Sequence, residues 1–307
     1  MNSTENNPPL IDQNNEVDIN IFLKLIWDNK IKLIVSGLLA GLLGVFISLS
    51  MPNIYKAEAV LSPVESDSGN LSNTLSSLGG GLGALASVGM SQSASKTDEG
   101  VHILGTYDFF VNFISNNNGL PELMASKKWD KSGNKIIYDE SIFNPETREW
   151  IPDKKPSLQE AYRKYIGIFG AELDTKTGFV KLELEHHSPY IAEDWLKQII
   201  TQINDLRRFS DVEKAEKSIF YLDEQINSTY ISEVKVVISD LIQNQIQTVM
   251  LAKSSPEYLF SVLQQPIPPE LKSKPKRALI CIAAAFLGGL ICFIYILYKK
   301  GSREKVL

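Results

Sequence analysis

The side chains with the widest chemical reach in this sequence are three histidines, His102, His186 and His187, set among many Asp and Glu residues. Two histidines share a metal ion only when both rings reach one point. His186 and His187 are adjacent in a stretch that reads as a strand, so their side chains leave on opposite faces and do not form a ligand pair. They are expected as packed or surface histidines. No two carboxylates lie in recognisably apolar surroundings that would split their pKa values into an acid and a base. Gly-x-Ser-x-Gly, His-Glu-x-x-His and Walker sequences are absent. The run Leu78-Gly79-Gly80-Gly81-Leu82-Gly83-Ala84-Leu85 lacks the Gly-Lys-Ser/Thr of a phosphate loop and is not bracketed by a strand and a helix. Cys281 and Cys292 are the only cysteines and lie in one apolar run, which leaves no zinc cluster. The expectation is a protein without catalytic, cofactor-binding or metal-ligating residues, and not an enzyme.

The elements that organise the chain are two uncharged apolar runs, Leu33–Met51 and Ala278–Tyr298. Each is about 19–21 residues long, enough for a helix to cross a hydrocarbon core of ~30 Å. The first lies too far from the start, and is too long, for a cleaved signal peptide. The expected layout is a cytoplasmic segment 1–32, a first span 33–51, a domain 52–277, a second span 278–298 and a tail 299–307. Lys24, Lys30 and Lys32 precede the first span, and Lys299, Lys300, Arg303 and Lys305 follow the second, which places both termini in the cytoplasm and exports the domain. Lys274, Lys276 and Arg277 argue the other way from the opposite flank. With no cysteine, the exported domain forms no disulfide. A net charge of −5 gives no nucleic-acid footprint.

Residues 1–15 read as disordered, and Val17–Ile31 as an amphipathic interfacial helix with Trp27 at headgroup depth. In the first span Gly37, Gly41 and Gly44 offer a small-residue face for close helix association, including self-association. Tyr55–Pro63 alternates as a strand. Ser66–Ser95 is a flexible Gly/Ser-rich loop, and Asp98–Asn116 a helix stopped by Asn116-Asn117-Asn118-Gly119. Lys127–Lys155 reads as turn-rich surface. Ser157 to Glu160 has capping-box spacing and starts a helix reaching about Phe169. Thr175-Lys176-Thr177-Gly178 turns between two strands; Val180, Leu182 and Leu184 take one face of the second, and Lys181, Glu183 and Glu185 the other. Region 189–255 is a long helix opened by Ser188-Pro189, with Trp195, Ile199, Ile203 and Leu206 on an apolar stripe that serves the core or an oligomer contact. Whether it is one helix or two is open; Asn227-Ser228-Thr229 is the expected break. Tyr258–Leu263 is a last strand pairing near the first. The fold class is thus an α+β domain with a membrane-proximal sheet and long protruding helices, anchored by two transmembrane helices.

The approach to the second span carries the most specific pattern. It runs Pro266, two residues, Pro269, four residues, then Lys274-Pro275-Lys276, eleven residues and Gly288-Gly289. With the Asp18-Ile19 helix bearing Leu23 and Trp27, and Tyr55-Lys56-Ala57 after the first span, the chain resembles the bacterial chain length determinant (Wzz) family, the polysaccharide co-polymerases. It departs from the family pattern at Lys274 for serine, Leu290 for methionine and Cys292 for glycine. The resemblance implies a kinase-free inner-membrane protein that sets the modal length of a surface polysaccharide, O-antigen above all. It also implies a ring-like homo-oligomer acting as a scaffold, with the O-antigen polymerase, the nascent lipid-linked polysaccharide and the membrane as partners, and no cofactor. The alternatives are a two-span sensor, which needs a cytoplasmic output module, and a membrane-anchored hydrolase, which needs a catalytic pair.

Overall fold

The structure, a computed structural model, describes residues 26–64 and 96–304. The expectations for residues 1–15, for most of the helix over Val17–Ile31, for the loop 66–95 and for the last three residues lie outside it. In chain order the elements are α1 (Lys30–Ser50), β1 (Tyr55–Pro63), a helical stretch 96–104, α2 (Tyr107–Asn117) and α3 (Leu120–Met124). Two small hairpins follow, β2 (Ser126–Asp130) with β3 (Lys135–Tyr138) and β4 (Phe143–Asn144) with β5 (Glu149–Trp150). Then come α4 (Leu158–Ile168), β6 (Phe169–Leu173), β7 (Val180–His186), α5 (Pro189–Ser228), α6 (Ser232–Ser254), β8 (Phe260–Gln264) and α7 (Arg277–Glu304). The chain divides into two compact units: Met1–Pro52 with Lys274–Leu307, and Asn53–Ser273.

The larger unit is built on a four-stranded antiparallel sheet in the order β6-β7-β1-β8. Alternation sorts its residues by face. Ala57, Ala59 and Leu61 of β1 and Val180, Leu182 and Leu184 of β7 are all buried on one side. The other side carries charge. Glu58 and Glu183 are register partners, and Lys56 and Lys181 each bridge both carboxylates at 2.6–3.1 Å. Hydrogen bonding to these ammonium groups holds both carboxyls below the usual range. The groups are partly exposed, so the lattice removes a like-charge clash rather than supplying much stability.

Helices cover the apolar face. Ala192, Trp195, Leu196, Ile199, Ile200 and Ile203 of α5 are buried in one core with Phe109, Phe110 and Phe113 of α2 and Tyr165 of α4. Each such aliphatic side chain contributes roughly 1.5–3 kcal/mol of transfer free energy. The capping box at Ser157 and Glu160 forms in both directions, at 3.2 and 3.0 Å.

Two expectations change. The helix over Asp98–Asn116 is broken at Gly105-Thr106, where the Thr106 hydroxyl caps α2 by accepting from Phe109 N–H. The carbonyls of Leu104 and Gly105 accept instead from the hydroxyls of Tyr165 (3.1 Å) and Tyr162 (2.6 Å). Second, Lys127–Lys155 is not all surface, because its hairpins close over Phe143, which is fully buried between the rings of Tyr138 and Trp150. Of the two roles open to the apolar stripe, Trp195, Ile199 and Ile203 take the core position in this unit, and Leu206 is half-buried.

The long helical region is two helices. At the end of α5 the side chains of Ser228 and Thr229 donate to the Gln225 carbonyl at 3.0 and 2.8 Å, and Asn227 donates to that of Asp223. Side chains thereby satisfy carbonyls that a further helical turn would have used. The α6 helix runs back antiparallel: Lys253 lies 4.0 Å from Glu216, and Arg208 donates to the carbonyl of Ser255.

One polar side chain fixes the next connection. Asn204, 3 % exposed, accepts through Oδ1 from the N–H groups of Tyr258 (3.3 Å), Leu259 (2.8 Å) and Phe260 (2.9 Å). Its Nδ2 donates to the Phe260 carbonyl at 3.0 Å. Asn204→Ala strips partners from several buried backbone groups at once. It is expected to destabilise the full chain by about 2–4 kcal/mol in detergent denaturation, whereas Ala at the exposed neighbour Asp205 stays within ~0.5 kcal/mol.

Candidate functional site

Among the described residues no group of three or more His, Cys, Asp or Glu side chains is placed to hold a metal. The smaller unit brings most of the sequence-selected glycines to one seam. α1 and α7 are antiparallel neighbours, each long and apolar enough to cross a membrane. A Cβ on Gly37 would lie 3.2 Å from the Ala285 carbonyl oxygen, one on Gly41 3.5 Å from Ala285 Cβ, and one on Gly44 2.7 Å from Ala284 Cβ. From the other side a Cβ on Gly288 would overlap that of Ala40, and Ser36 Oγ donates to the Gly288 carbonyl at 2.8 Å. The backbones approach because side chains are missing on both helices. The small-residue face therefore packs on the second apolar helix of the same chain. A tethered span meets it at a higher effective concentration than another copy does. Gly289 is outside the seam, with open space where a Cβ would point.

Pro266 is buried, Pro269 and Pro275 are half-buried, and Lys276 is exposed with its carbonyl accepting from Ile280 N–H at the start of α7. Close by, Ser273 N–H donates to the Ile54 carbonyl at 2.8 Å.

His186 is built into the wall of the larger unit. Its Nδ1 accepts from Ser188 N–H at 3.0 Å and its Nε2–H donates to the Glu122 carbonyl at 3.0 Å, which defines a neutral ring. The ring packs on Trp195, with centroids 5.5 Å apart. Burial is the main reason its pKa falls to about 4, opposed by the hydrogen bond to Glu122 and reinforced by His187 and Lys164. His187 is shifted the same way by burial and donates from Nδ1 to the Asn53 carbonyl. The pair is structural, its rings 6.0 Å apart with separate partners.

Sequence reasoning passed over Arg207, which is 5 % exposed. Its guanidinium meets Glu99 at 2.9 Å and Asp211 at 3.3 Å, and Asp211 also accepts from the Tyr258 hydroxyl at 3.0 Å. Burial and the Asp211 charge raise the Tyr258 pKa. The network ties the helical stretch 96–104 to α5. The signal was present: Ile200, Ile203 and Arg207 have helical spacing, so Arg207 continues an apolar stripe. Beyond it the α5–α6 hairpin exposes large apolar side chains, with Phe209, Phe220, Tyr221, Tyr230 and Met250 all more than half exposed.

Two helices long and apolar enough to cross a membrane thus flank one α+β unit in the sequence. Residues 15–103 match the family model described as Wzz, chain length determinant protein. Over that stretch, from the approach to α1 through β1 and into the helical segment 96–104, the chain is similar to that family. No curated protein matches the chain. Among solved structures it is similar to a full-length bacterial polysaccharide co-polymerase, at 12 % identity and a TM-score of 0.36, covering 94 % of this chain and 98 % of that one. It is also similar to a fragment of WzzB, a polysaccharide co-polymerase from Salmonella Typhimurium, at 11 % identity and a TM-score of 0.30, covering 72 % and 100 %.

Two outcomes follow from the geometry. Gly288→Leu is expected to separate α1 from α7 and lower the thermal midpoint of the chain in detergent by several degrees, while Gly289→Leu leaves it within about one degree; equal effects would show that the seam is not a tight contact. For His186 the unfolded ring takes a proton below its ordinary value of 6.5, whereas the folded ring refuses one until about 4. The unfolded state then binds more protons, so stability falls as pH drops through this window. Between pH 7.5 and 5 the loss from this group is about 2 kcal/mol. His186→Gln should flatten the profile, leaving only the smaller slope of the same sign from His187.

Proposed function

We propose that this protein sets the modal chain length of a surface polysaccharide, lipopolysaccharide O-antigen, acting as an oligomeric scaffold on the membrane polymerase. The observation that carries this reading is the match of residues 15–103 to the chain length determinant family. In it, both termini are cytoplasmic, residues 52–277 are periplasmic, and the membrane is the bacterial inner membrane. The basic flanks of the spans support that orientation. The protein regulates and does not itself make or break a glycosidic bond. The apolar outer face of the α5–α6 hairpin supports assembly with further copies into a closed ring, since identical subunits presenting such faces bury them most simply by symmetry. Partners beyond the protein itself are the O-antigen polymerase and the nascent lipid-linked polysaccharide. In this reading Pro266, Pro269, Pro275 and Lys276 set how the chain approaches the bilayer, because proline fixes φ and admits no continuous helix there.

The test is the surface polysaccharide profile on a gel. A strain lacking the protein should lose a modal cluster and show a falling, unregulated ladder, and the complemented strain should regain the cluster. Replacing Pro269, Pro275 and Lys276 together should shift the cluster without preventing membrane insertion. An unchanged profile on deletion would overturn the reading.

A further inference from the structure

His186 ends β7 and Ser188 caps α5, so His186-His187-Ser188 is the joint between sheet and helix. His186 is 5 % exposed and Ser188 3 % exposed. Both ring nitrogens of His186 hold the joint. Nδ1 accepts the Ser188 N–H at 3.0 Å, and Nε2–H donates to the Glu122 carbonyl of α3 at 3.0 Å, with the Ser126 hydroxyl of β2 3.5 Å from the same nitrogen. His187 donates from Nδ1 to the Asn53 carbonyl at 3.2 Å. Across the sheet, the register partner of His186 is Tyr55 of β1, two residues after Asn53. One turn thus fastens the first turn of α5, the short helix α3 and the start of β1.

The two histidines differ in what a proton from solvent does to them. His187 takes one on Nε2 and keeps its bond to Asn53. On His186 the proton falls on Nδ1, where it confronts the Ser188 N–H and removes that bond. The surroundings offer it no compensation. The ionisable groups that act on the ring, His187 and Lys164 of α4, both repel a proton, and α5 presents the Trp195 ring, 5.5 Å away. The Glu122 carboxylate is engaged by the Tyr138 hydroxyl and Arg148. We propose that this turn is an acid-operated latch: a proton on His186 Nδ1 displaces the Ser188 N–H, and the first turn of α5 parts from the end of β7 while the aromatic core stays closed. Folded chains open locally in this way well below the cost of global unfolding. The freed ring binds a proton below its ordinary 6.5, whereas the latched ring, chiefly because it is buried, binds one only below about 4, so acid drives opening. Between pH 7.5 and 5 the opening constant rises about thirty-fold. The latch lies wholly within the larger unit, so its failure and that of the polymer-length reading are separate.

Hydrogen exchange of the full-length chain in detergent, read by mass spectrometry at pH 7.5 and 5, tests the latch. Rates are corrected for the intrinsic pH dependence of amide exchange. Peptides covering 187–195 should exchange about thirty-fold faster at pH 5. At both pH values they should run about ten-fold or more ahead of the core peptide 109–117, as a local opening requires. His186→Gln should remove most of the rise, and His187→Gln should keep it. Unchanged corrected exchange at 187–195 overturns the proposal. Exchange there no faster than in 109–117 means that only global unfolding frees the ring, and overturns it too. Both outcomes are read on the unaltered chain, so they hold even where H186Q does not fold. A rise that persists in a folded H186Q chain assigns the proton to another group and likewise overturns the latch.

Discussion

The larger unit depends on one side-chain amide. Asn204 takes three successive N–H groups onto a single oxygen and returns a proton to the carbonyl of the third residue, all out of contact with water. A concave run of backbone amides of this kind is normally an anion site. Here a neutral amide fills it, and the chain that has just left α6 is turned into β8. Because β8 pairs with β1, and β1 with β7, the register of the whole sheet is referred to a position on α5. The nearby Arg207 network adds a second tie from the same helix to Tyr258 and to the stretch 96–104. Helix and sheet are therefore held by directional bonds as well as by the non-directional packing of the aromatic core.

Much of this architecture was legible from periodicity. The two spans declare themselves by length and absence of charge. The alternation of Val180 to His186 gives both faces of β7, and Ser157 with Glu160 gives a helix start that forms as spelled. Ser188 followed by proline marks the start of α5 equally well. These signals are local, and local physics decides them.

What was not legible depends on distant partners. The break at Gly105-Thr106 is stabilised by hydroxyls from Tyr162 and Tyr165, more than fifty residues away, which no window over the helix contains. Phe143 lies in a turn-rich stretch, and its burial needs two hairpins to fold over it. The small-residue face of Gly37, Gly41 and Gly44 was readable as a contact, but its partner was not, because glycine spacing does not say whether the neighbour belongs to the same chain. Gly288 and Gly289 are equivalent as letters and differ by about 100° around a helix, which puts only one of them on the seam. Asn204 and Arg207 interrupt an apolar stripe with polar atoms, a signal that identifies buried residues without naming what they bind.

The charged face of the sheet has an electrical consequence. Lys56, Glu58, Lys181 and Glu183 sum to zero and alternate in sign across two strands, so their arrangement is close to a quadrupole. The potential of a quadrupole falls off far more steeply than that of a single charge, and ionic screening shortens it further, with a Debye length of about 8 Å at physiological salt. A polyelectrolyte moving past those four groups is neither drawn in nor turned away by them. Glu185 and Glu172, the register partners of Lys56 and Lys181, lie on the same face, so the long-range field of this patch is set by them and is negative.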